Sequence, residues 1–490
     1  MGSAVRGAGW TILTGIGSRV VGLFGTLWLT YFLTPDIQGE VSDAFIVVLT
    51  AHQLSTLGVQ QYLVAGPEED RELAFHITVF QFVLGIVAFG LVILLRDHFG
   101  GFLHAPTMGQ YVPGLALAMF IERLGTVPER LLTRKFQFRT IGLGRTLGEM
   151  AYTVVSVLLA WRGMGGMAIV YGNIVRTILY LAVLVMAVER DAWLRPVKLS
   201  FDKMRPALRY GLPLWVGAFA SFASRNWDNL IISRLFGAGV MGEYKLAYNL
   251  ADIPATQVGE QIGDVLFPSF ARMEIEDRKR ALVRSTGLLA LIVFPLAVGL
   301  GAVAPTVVHV VLRPEWHGVA PMLVILSALS VTRPIGWTIQ AYLQASHRPR
   351  ESMWLGLAKI AFLIGAMVVL GWLTSDPLWT CGAVGLAFGL HSLASMFVVS
   401  RDDQVSVWTL LGRCAPPLLA TLPMAAAIYG IRVAMAHAGG VPPVVGLIAE
   451  LVTGAVAYVV SGLVLARSIA KDFTDVVRDT IRRRRERKAA

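Results

Sequence analysis

The sequence predicts an all-α, polytopic membrane protein with about 14 transmembrane helices, arranged as two six-helix lobes plus two extra C-terminal helices. Three observations lead to this fold class. The 490 residues are 55% hydrophobic and only 15% charged, and the mean hydropathy is +0.63. Apolar runs long enough to cross a bilayer recur along the chain. Basic residues are concentrated in every second loop between these runs. So few charges could not cover a soluble protein of this length.

Each predicted helix is an apolar run of roughly 20 residues, which is the length needed to cross the hydrocarbon core. The runs are 9–33, 41–63, 74–95, 107–126, 140–161, 164–187, 209–233, 239–268, 283–304, 318–343, 353–373, 378–399, 408–430 and 443–466.

The distribution of arginine and lysine orients these helices. With the N-terminus in the cytoplasm, cytoplasmic segments carry 30 of the 43 basic residues and the opposite side carries 4, Arg432 among them. Cytoplasmic loops are enriched in Lys and Arg, so both termini are predicted to be cytoplasmic. The net charge of +11 then reflects topology and contact with anionic lipid rather than nucleic-acid binding.

A weak internal repeat divides the helices into six, six and two. Residues 33–44 align with 236–247 at an offset of 203, which places Gly39 on Gly242 and Glu40 on Glu243. Six helices preserve orientation, so the halves are predicted to be parallel repeats of the kind found in rocking transporters. The predicted parts are an N-terminal lobe, 1–190, a C-terminal lobe, 191–400, an appended helix pair, 401–467, and a basic cytoplasmic tail, 468–490.

Charges within the predicted helices identify candidate functional residues, because an intramembrane charge needs a partner, a wet cavity or a route to the interface. Arg123, Arg145 and Lys359 lie near helix ends, where snorkelling explains them. Glu149 follows Arg145 by four residues, which predicts a pair within one helix. The deeper arginines are predicted to bind substrate, since a guanidinium suits phosphate: Arg19, Arg176, Arg225 and Arg333. Pairing between helices is the structural alternative.

The eighth predicted helix carries a polar wedge. At 100° per residue, five side chains lie within about 80° of one another, so the wedge is predicted to face protein or water rather than lipid. The residues are Lys245, Asn249, Asp252, Glu260 and Asp264. We expect Lys245 and Asn249 to line a cavity. Asp252, Glu260 and Asp264, together with Asp228 of the seventh helix, are candidate ion-coupling groups.

Enzymatic and metal chemistry find no support in the sequence. No Gly-rich phosphate loop with Lys-Ser/Thr occurs, so no ATPase is predicted. The two cysteines, Cys381 and Cys414, lie in apolar runs without metal-ligand spacing. No catalytic residue, metal or cofactor is predicted.

Several loop motifs resemble those of a known family. YFLTPDIQGE at 31–40 resembles its "LLxPxxyG" turn, and PERLLTRKFQFR at 128–139 resembles its "RRxxxF" cytoplasmic loop. LAWRGMGGMA at 159–168 and YGN at 171–173 are similar to its "LAxxGxGxxALvxGq" hairpin. This family is the Wzx-type polysaccharide-biosynthesis branch of the multidrug/oligosaccharidyl-lipid/polysaccharide exporter superfamily.

The resemblance implies a flippase, not an enzyme. Such a protein moves polyprenyl-diphosphate-linked oligosaccharide from the cytoplasmic to the periplasmic leaflet of the inner membrane, by alternating access coupled to H+ or Na+. The implied partners are the lipid-linked glycan, membrane lipids, a polysaccharide polymerase and glycosyltransferases.

Alternative functions remain at this point. A lipid II flippase or a cation-coupled drug antiporter belongs to the same superfamily, although a drug antiporter would favour an acidic, aromatic cavity. A membrane glycan polymerase or ligase would need a larger external loop. A scaffold without transport would not need charges at mid-depth.

Overall fold

A computed structural model describes residues 21–65, 70–475 and 478; the side chains of 253–265, 267–268, 334 and 349 are outside this description. Arg19, a predicted substrate-binding residue, lies outside the described residues. No described residue is in a β-strand. Two compact units divide the chain, Met1–Glu243 and Tyr244–Ala490. The lobe boundaries predicted from the repeat and from hydropathy stay predictions.

The first unit contains helices α1 to α10 and the start of α11. Residues 21–29 are the described part of α1. The others are α2 (Pro35–Thr56), α3 (Tyr62–Ala65), α4 (Arg71–Leu94), α5 (Arg96–Phe102), α6 (Val112–Leu124), α7 (Thr126–Arg134), α8 (Phe138–Trp161), α9 (Met167–Ala187), α10 (Phe201–Phe236) and α11 (Ala238–Ala271).

The second unit contains the remainder of α11 and seven further helices. They are α12 (Ile275–Val311), α13 (Val319–Leu329), α14 (Arg333–Ala345), α15 (Pro349–Thr374), α16 (Pro377–Asp403), α17 (Val407–Ala438) and α18 (Pro443–Leu465). A 3-10 turn, Ser330–Thr332, separates α13 from α14.

The all-α membrane fold predicted from hydropathy is confirmed. Within the described part of the chain, eight helical spans are long and apolar enough to cross a membrane. Many of their apolar side chains are exposed, such as Leu94 at 76% and Leu373 at 77%, as expected where the surrounding solvent is lipid. The count of fourteen spans stays a prediction.

The predicted repeat reappears as a reciprocal contact between helix N-termini. α2 begins at Pro35 and α11 at Ala238, which is the predicted offset of 203. A Cβ on Gly39 would lie 1.8 Å from the carbonyl oxygen of Ala238, and a Cβ on Gly242 would lie 2.2 Å from that of Pro35. Each repeat therefore presents its glycine to the first helical residue of the other, and only glycine permits this backbone approach.

A second glycine contact closes the opposite end of α2. Gly58, at φ +66°, follows the helix, and a Cβ there would lie 2.4 Å from the carbonyl oxygen of Gly211 in α10. The chain therefore turns against α10 at this point, and this turn borders the polar cavity described below.

The last two helices are joined to α12 by buried polar contacts. Arg432 of α17 donates to Glu450 of α18 at 2.9 Å and to the carbonyl of Ala302 in α12 at 2.6 Å. Thr306 of α12 also donates to Glu450, whose exposure is 1%. The prediction that Arg432 is a loop residue was wrong, because α17 continues to Ala438.

Candidate functional site

In the second unit, Arg333 and Asp252 form an ion pair between α14 and α11. Arg333 is the first residue of α14 and is only 8% exposed. Its guanidinium lies 5.4 Å from the ring centre of Tyr248 and 4.7 Å from that of Phe388. The sequence assigned these two residues separately, to substrate binding and to ion coupling. The structure brings them together in one cluster.

The rest of the predicted wedge on α11 is partly described. Asn249 is exposed and Lys245 is half-buried, while the Asp252 side chain is 29% exposed. The side chains of Glu260 and Asp264 are outside the description, so their roles stay predictions. The three described residues recur at four- and three-residue intervals, which places them on one helix face.

A second aromatic-cation contact adjoins the pair. The ammonium of Lys359, on α15, lies 4.9 Å from the ring centre of Phe388. Phe388 therefore has two cations near its ring, one of them the guanidinium of Arg333. Aromatic faces attract cations without neutralising their charge.

In the first unit, α10 holds Arg225 and Asp228 in different environments. Arg225 is exposed, whereas Asp228 is 1% exposed and accepts a hydrogen bond of 2.9 Å from Asn229.

A second carboxylate, Asp43 of α2, contacts the same helix. Ser233 of α10 donates a hydrogen bond of 2.5 Å to Asp43 and another to the carbonyl of Leu103. Asp43 is fully buried. Asp43 was not among the predicted residues, because it lies at the start of the predicted run 41–63, where a carboxylate can reach water.

Arg176, the remaining predicted substrate-binding residue, lies among carboxylates. Its guanidinium is 3.7 Å from Glu122 and 3.8 Å from Glu149. The predicted Arg145–Glu149 pair was wrong: Arg145 instead lies 2.7 Å from Glu129, because the two side chains of α8 face different neighbours.

Arg123 corrects another expectation, since it does not snorkel. It is 2% exposed and donates two hydrogen bonds to Gln81 Oε1, at 2.6 and 2.9 Å. It also donates to the hydroxyl and the carbonyl of Ser55, each at 2.6 Å. Gln81 in turn donates to the carbonyl of Thr56 at 2.8 Å. Because Arg123 lies near a helix end, its side chain was expected to extend to the membrane interface. Instead, α2 and α4 provide hydrogen-bond acceptors for it inside the unit.

A polar cavity of about 280 Å³ lies within the first unit. The end of α2 and the turn after it form one wall, and α7, α8 and α10 form the others. Its lining includes His52, Gln53, Gln61, Glu129 and Trp215. Among the predicted site residues whose side chains the structure describes, none borders this cavity.

Comparison with known proteins decides the family. The profile described as "Polysaccharide biosynthesis protein" matches residues 28–321, more than half of the chain. The chain belongs to this family. The resemblance inferred from the loop motifs is thereby confirmed, and the family consists of membrane transporters rather than enzymes.

Curated relatives match over most of their length. The chain is 26% identical over 410 residues to the lipopolysaccharide biosynthesis protein WzxC of Escherichia coli (strain K12), covering 81% of each chain. It is 25% identical over 485 residues to the succinoglycan biosynthesis transport protein ExoT of Rhizobium meliloti (strain 1021), covering 97% of this chain and 96% of the relative.

Solved structures share the fold. The lipid II flippase MurJ, in an inward closed conformation, matches with a TM-score of 0.75 at 12% identity, covering 94% of this chain and 100% of MurJ. An inward-facing multidrug transporter of the MATE family matches with a TM-score of 0.59 at 14% identity, covering 82% of this chain and 95% of that transporter.

Proposed function

We propose that the protein transfers polyprenyl-diphosphate-linked oligosaccharide from the cytoplasmic to the periplasmic leaflet of the inner membrane, for surface polysaccharide assembly. Family membership, a relative named as a succinoglycan transport protein and a fold shared with a lipid II flippase support this proposal. The deep arginines predicted from the sequence are the groups that would receive a diphosphate.

The Arg333–Asp252 pair is the observation that carries the proposal. A buried ion pair is weak evidence for stability, since apolar replacements are often neutral or better. Its presence therefore calls for a function. A diphosphate offers two oxygens at once to the planar guanidinium of Arg333, and so competes with the carboxylate of Asp252. The aromatic faces of Tyr248 and Phe388 hold the guanidinium while its anionic partner is exchanged.

Exchange at Arg333 also supplies a route to ion coupling. Once Asp252 loses its guanidinium, its carboxylate takes up H+ or Na+ more readily. Substrate binding would thus promote ion binding in the same unit. Asp228, Glu260 and Asp264 are further candidates, and Asp228 is buried as a coupling group in the membrane would be.

The basic-residue distribution sets the proposed orientation. Both termini lie in the cytoplasm under this proposal, so the head group enters from the side on which glycosyltransferases assemble it. A polysaccharide polymerase would then take the glycan at the periplasmic side. These partners follow from the transfer reaction.

The test compares arginine variants in a host that depends on this protein for surface polysaccharide. Arg333→Ala should reduce export at least about tenfold, because one charged contact to the diphosphate is lost. Arg401→Ala, which removes an exposed arginine with 79% of its side chain accessible, is the matched control. Surface polysaccharide and the amount of protein in the membrane are measured together.

Two results would overturn the proposal. One is normal export by Arg333→Ala at a normal amount of protein. The other is normal surface polysaccharide in the absence of the protein. Asp252→Asn separates transfer from coupling: it keeps a polar partner for Arg333, so we expect substrate binding to persist while dependence on the ion gradient is lost.

Lipid II transfer is the second candidate, favoured by the match to MurJ over 94% of the chain. It is tested by expressing the protein in cells depleted of their own lipid II flippase. Growth of those cells would favour lipid II as the substrate. Lysis, together with normal polysaccharide export in the first host, would favour the longer glycan.

A further inference from the structure

We propose that the cavity in the first unit binds one sugar residue of the glycan. This inference rests on the proposed function and adds where the sugar is recognised, apart from the diphosphate. The cavity of about 280 Å³ equals about nine waters at roughly 30 Å³ each. It lies just below the usual range of ligand pockets, about 300–1,000 Å³. One polar ring fits such a space, whereas a whole lipid-linked oligosaccharide does not.

The lining has the chemistry that recognises hydroxyl groups. Gln53, Gln60 and Gln61 contribute amides, and Thr56 and Thr126 contribute hydroxyls. Amides and hydroxyls both donate and accept hydrogen bonds, as sugar hydroxyls do. Gln53 and Gln61 are half-buried, so their side chains can meet a ligand without first leaving a packed core.

Charges in the lining are balanced, which disfavours a diphosphate. Glu122, Glu129, Arg130 and Arg145 supply two charges of each sign. Arg145 lies 2.7 Å from Glu129, which also accepts a hydrogen bond of 2.9 Å from Tyr180. This differs from the surroundings of Arg333, where one carboxylate and two aromatic rings lie against the guanidinium. A neutral polar ligand therefore suits the cavity better than a dianion.

Two buried nitrogen atoms in the lining lack hydrogen-bond partners within the described residues. They are Nδ1 of His52 and Nε of Arg130. Buried polar atoms are normally satisfied, so each such atom needs an explanation. Because both residues line the cavity, a rotation of either side chain would bring its nitrogen to a sugar hydroxyl, which is donor and acceptor at once.

Trp215 provides a fixed aromatic wall. Its indole N–H donates to the carbonyl of Gln53 at 2.7 Å, and its ring stacks on Phe219 with centroids 5.6 Å apart. The ring is half-buried, so part of it remains accessible. The C–H face of a sugar ring packs against such a surface, and a ring that is already oriented loses little entropy on binding.

The experiment measures binding to the full chain in lipid nanodiscs with two probes. One is polyprenyl diphosphate without sugar, and the other is the lipid-linked oligosaccharide extracted from membranes of the host. The double variant Gln53→Ala/Gln61→Ala should lose about tenfold in affinity for the sugar-bearing probe, as expected from the loss of two hydrogen bonds. Its affinity for the bare diphosphate should not change. Gln137→Ala/Gln340→Ala, two exposed glutamines, is the matched control.

Trp215 gives an independent readout. Trp215→Leu should lower the affinity for the sugar-bearing probe only. Trp215→Phe keeps an aromatic ring, so it should lower that affinity less. This pair decides the matter if the glutamine variant does not fold.

The outcomes separate this inference from the proposed function. Equal losses for both probes, or no loss for either, would overturn the sugar site. So would equal wild-type affinities for the two probes. If the wild-type protein bound neither probe, the proposed function itself would fail.

Discussion

Two buried arginines, Arg123 in the first unit and Arg333 in the second, are held in opposite ways. Neutral oxygens of Gln81 and Ser55 hold Arg123 through four hydrogen bonds. A carboxylate and two aromatic rings hold Arg333. The neutral oxygens belong to packed helices and cannot be exchanged without opening the unit. Under the proposed function, the Asp252 carboxylate is replaced by the diphosphate. The comparison teaches that burial alone does not distinguish the two arginines, whereas the chemistry of their partners does.

The largest expected effect is on Arg123. Arg123→Ala would leave Oε1 of Gln81 and the Ser55 carbonyl without their donor, so we expect a loss of about 3 kcal/mol in the free energy of unfolding. Arg123→Lys should recover only part of this loss, because an ammonium cannot reproduce the planar fork. Chemical unfolding of the purified protein in detergent measures both variants. A fully stable Arg123→Ala protein would show that the four hydrogen bonds are not structural.

The second prediction concerns the Arg333–Asp252 pair. Replacing both partners, as in Arg333→Met/Asp252→Leu, removes the buried charges together, so stability should stay within about 1 kcal/mol of wild type. Export should still fall sharply, since the guanidinium that we propose binds the diphosphate is gone. Unfolding and surface polysaccharide are measured on the same variant. A large loss of stability would contradict the comparison, because the pair would then be structural like Arg123.

The smallest effect is expected for Arg348, in the loop between α14 and α15. It pairs with Glu351, Asp402 and Asp403. Burial alone would lower the pKa of its guanidinium, but these carboxylates raise the pKa above its ordinary value. Its side chain is 18% exposed and two of its partners are more accessible. Arg348→Ala should therefore cost about 1 kcal/mol at low salt.

Salt separates this loop cluster from the buried arginines. The loss in free energy of unfolding caused by Arg348→Ala should be smaller at 1 M salt, where the Debye length is about 3 Å. The cost of Arg123→Ala should not change, because its partners are neutral and enclosed. Unfolding at two salt concentrations measures the difference. Equal salt dependence for the two variants would count against the distinction.

The all-α membrane fold could be predicted from the sequence, because bilayer thickness fixes the length of an apolar run. Helix starts at Pro35 and Ala238 show the predicted offset of 203. The polar wedge on α11 could also be predicted, because the spacing of residues within one helix is enough to show which side chains share a face.

Partners could not be predicted, because they come from other helices. Asp252 and Arg333 are 81 residues apart, and nothing in their spacing links them. The burial of Arg123 depends on Gln81 and Ser55, which lie 42 and 68 residues away in the sequence. Hydropathy reports how deep a residue lies along its helix axis. It does not report which neighbour the side chain faces.

The reciprocal contact of Gly39 with Ala238 and of Gly242 with Pro35 has an evolutionary consequence. In a two-fold homodimer, residue i of one subunit meets residue j of the other, and j meets i in return. Here the same reciprocity is found between two segments of one polypeptide. A side chain at either glycine would displace the first turn of the other segment, so we expect substitutions to be tolerated elsewhere in the two segments but not at this crossing.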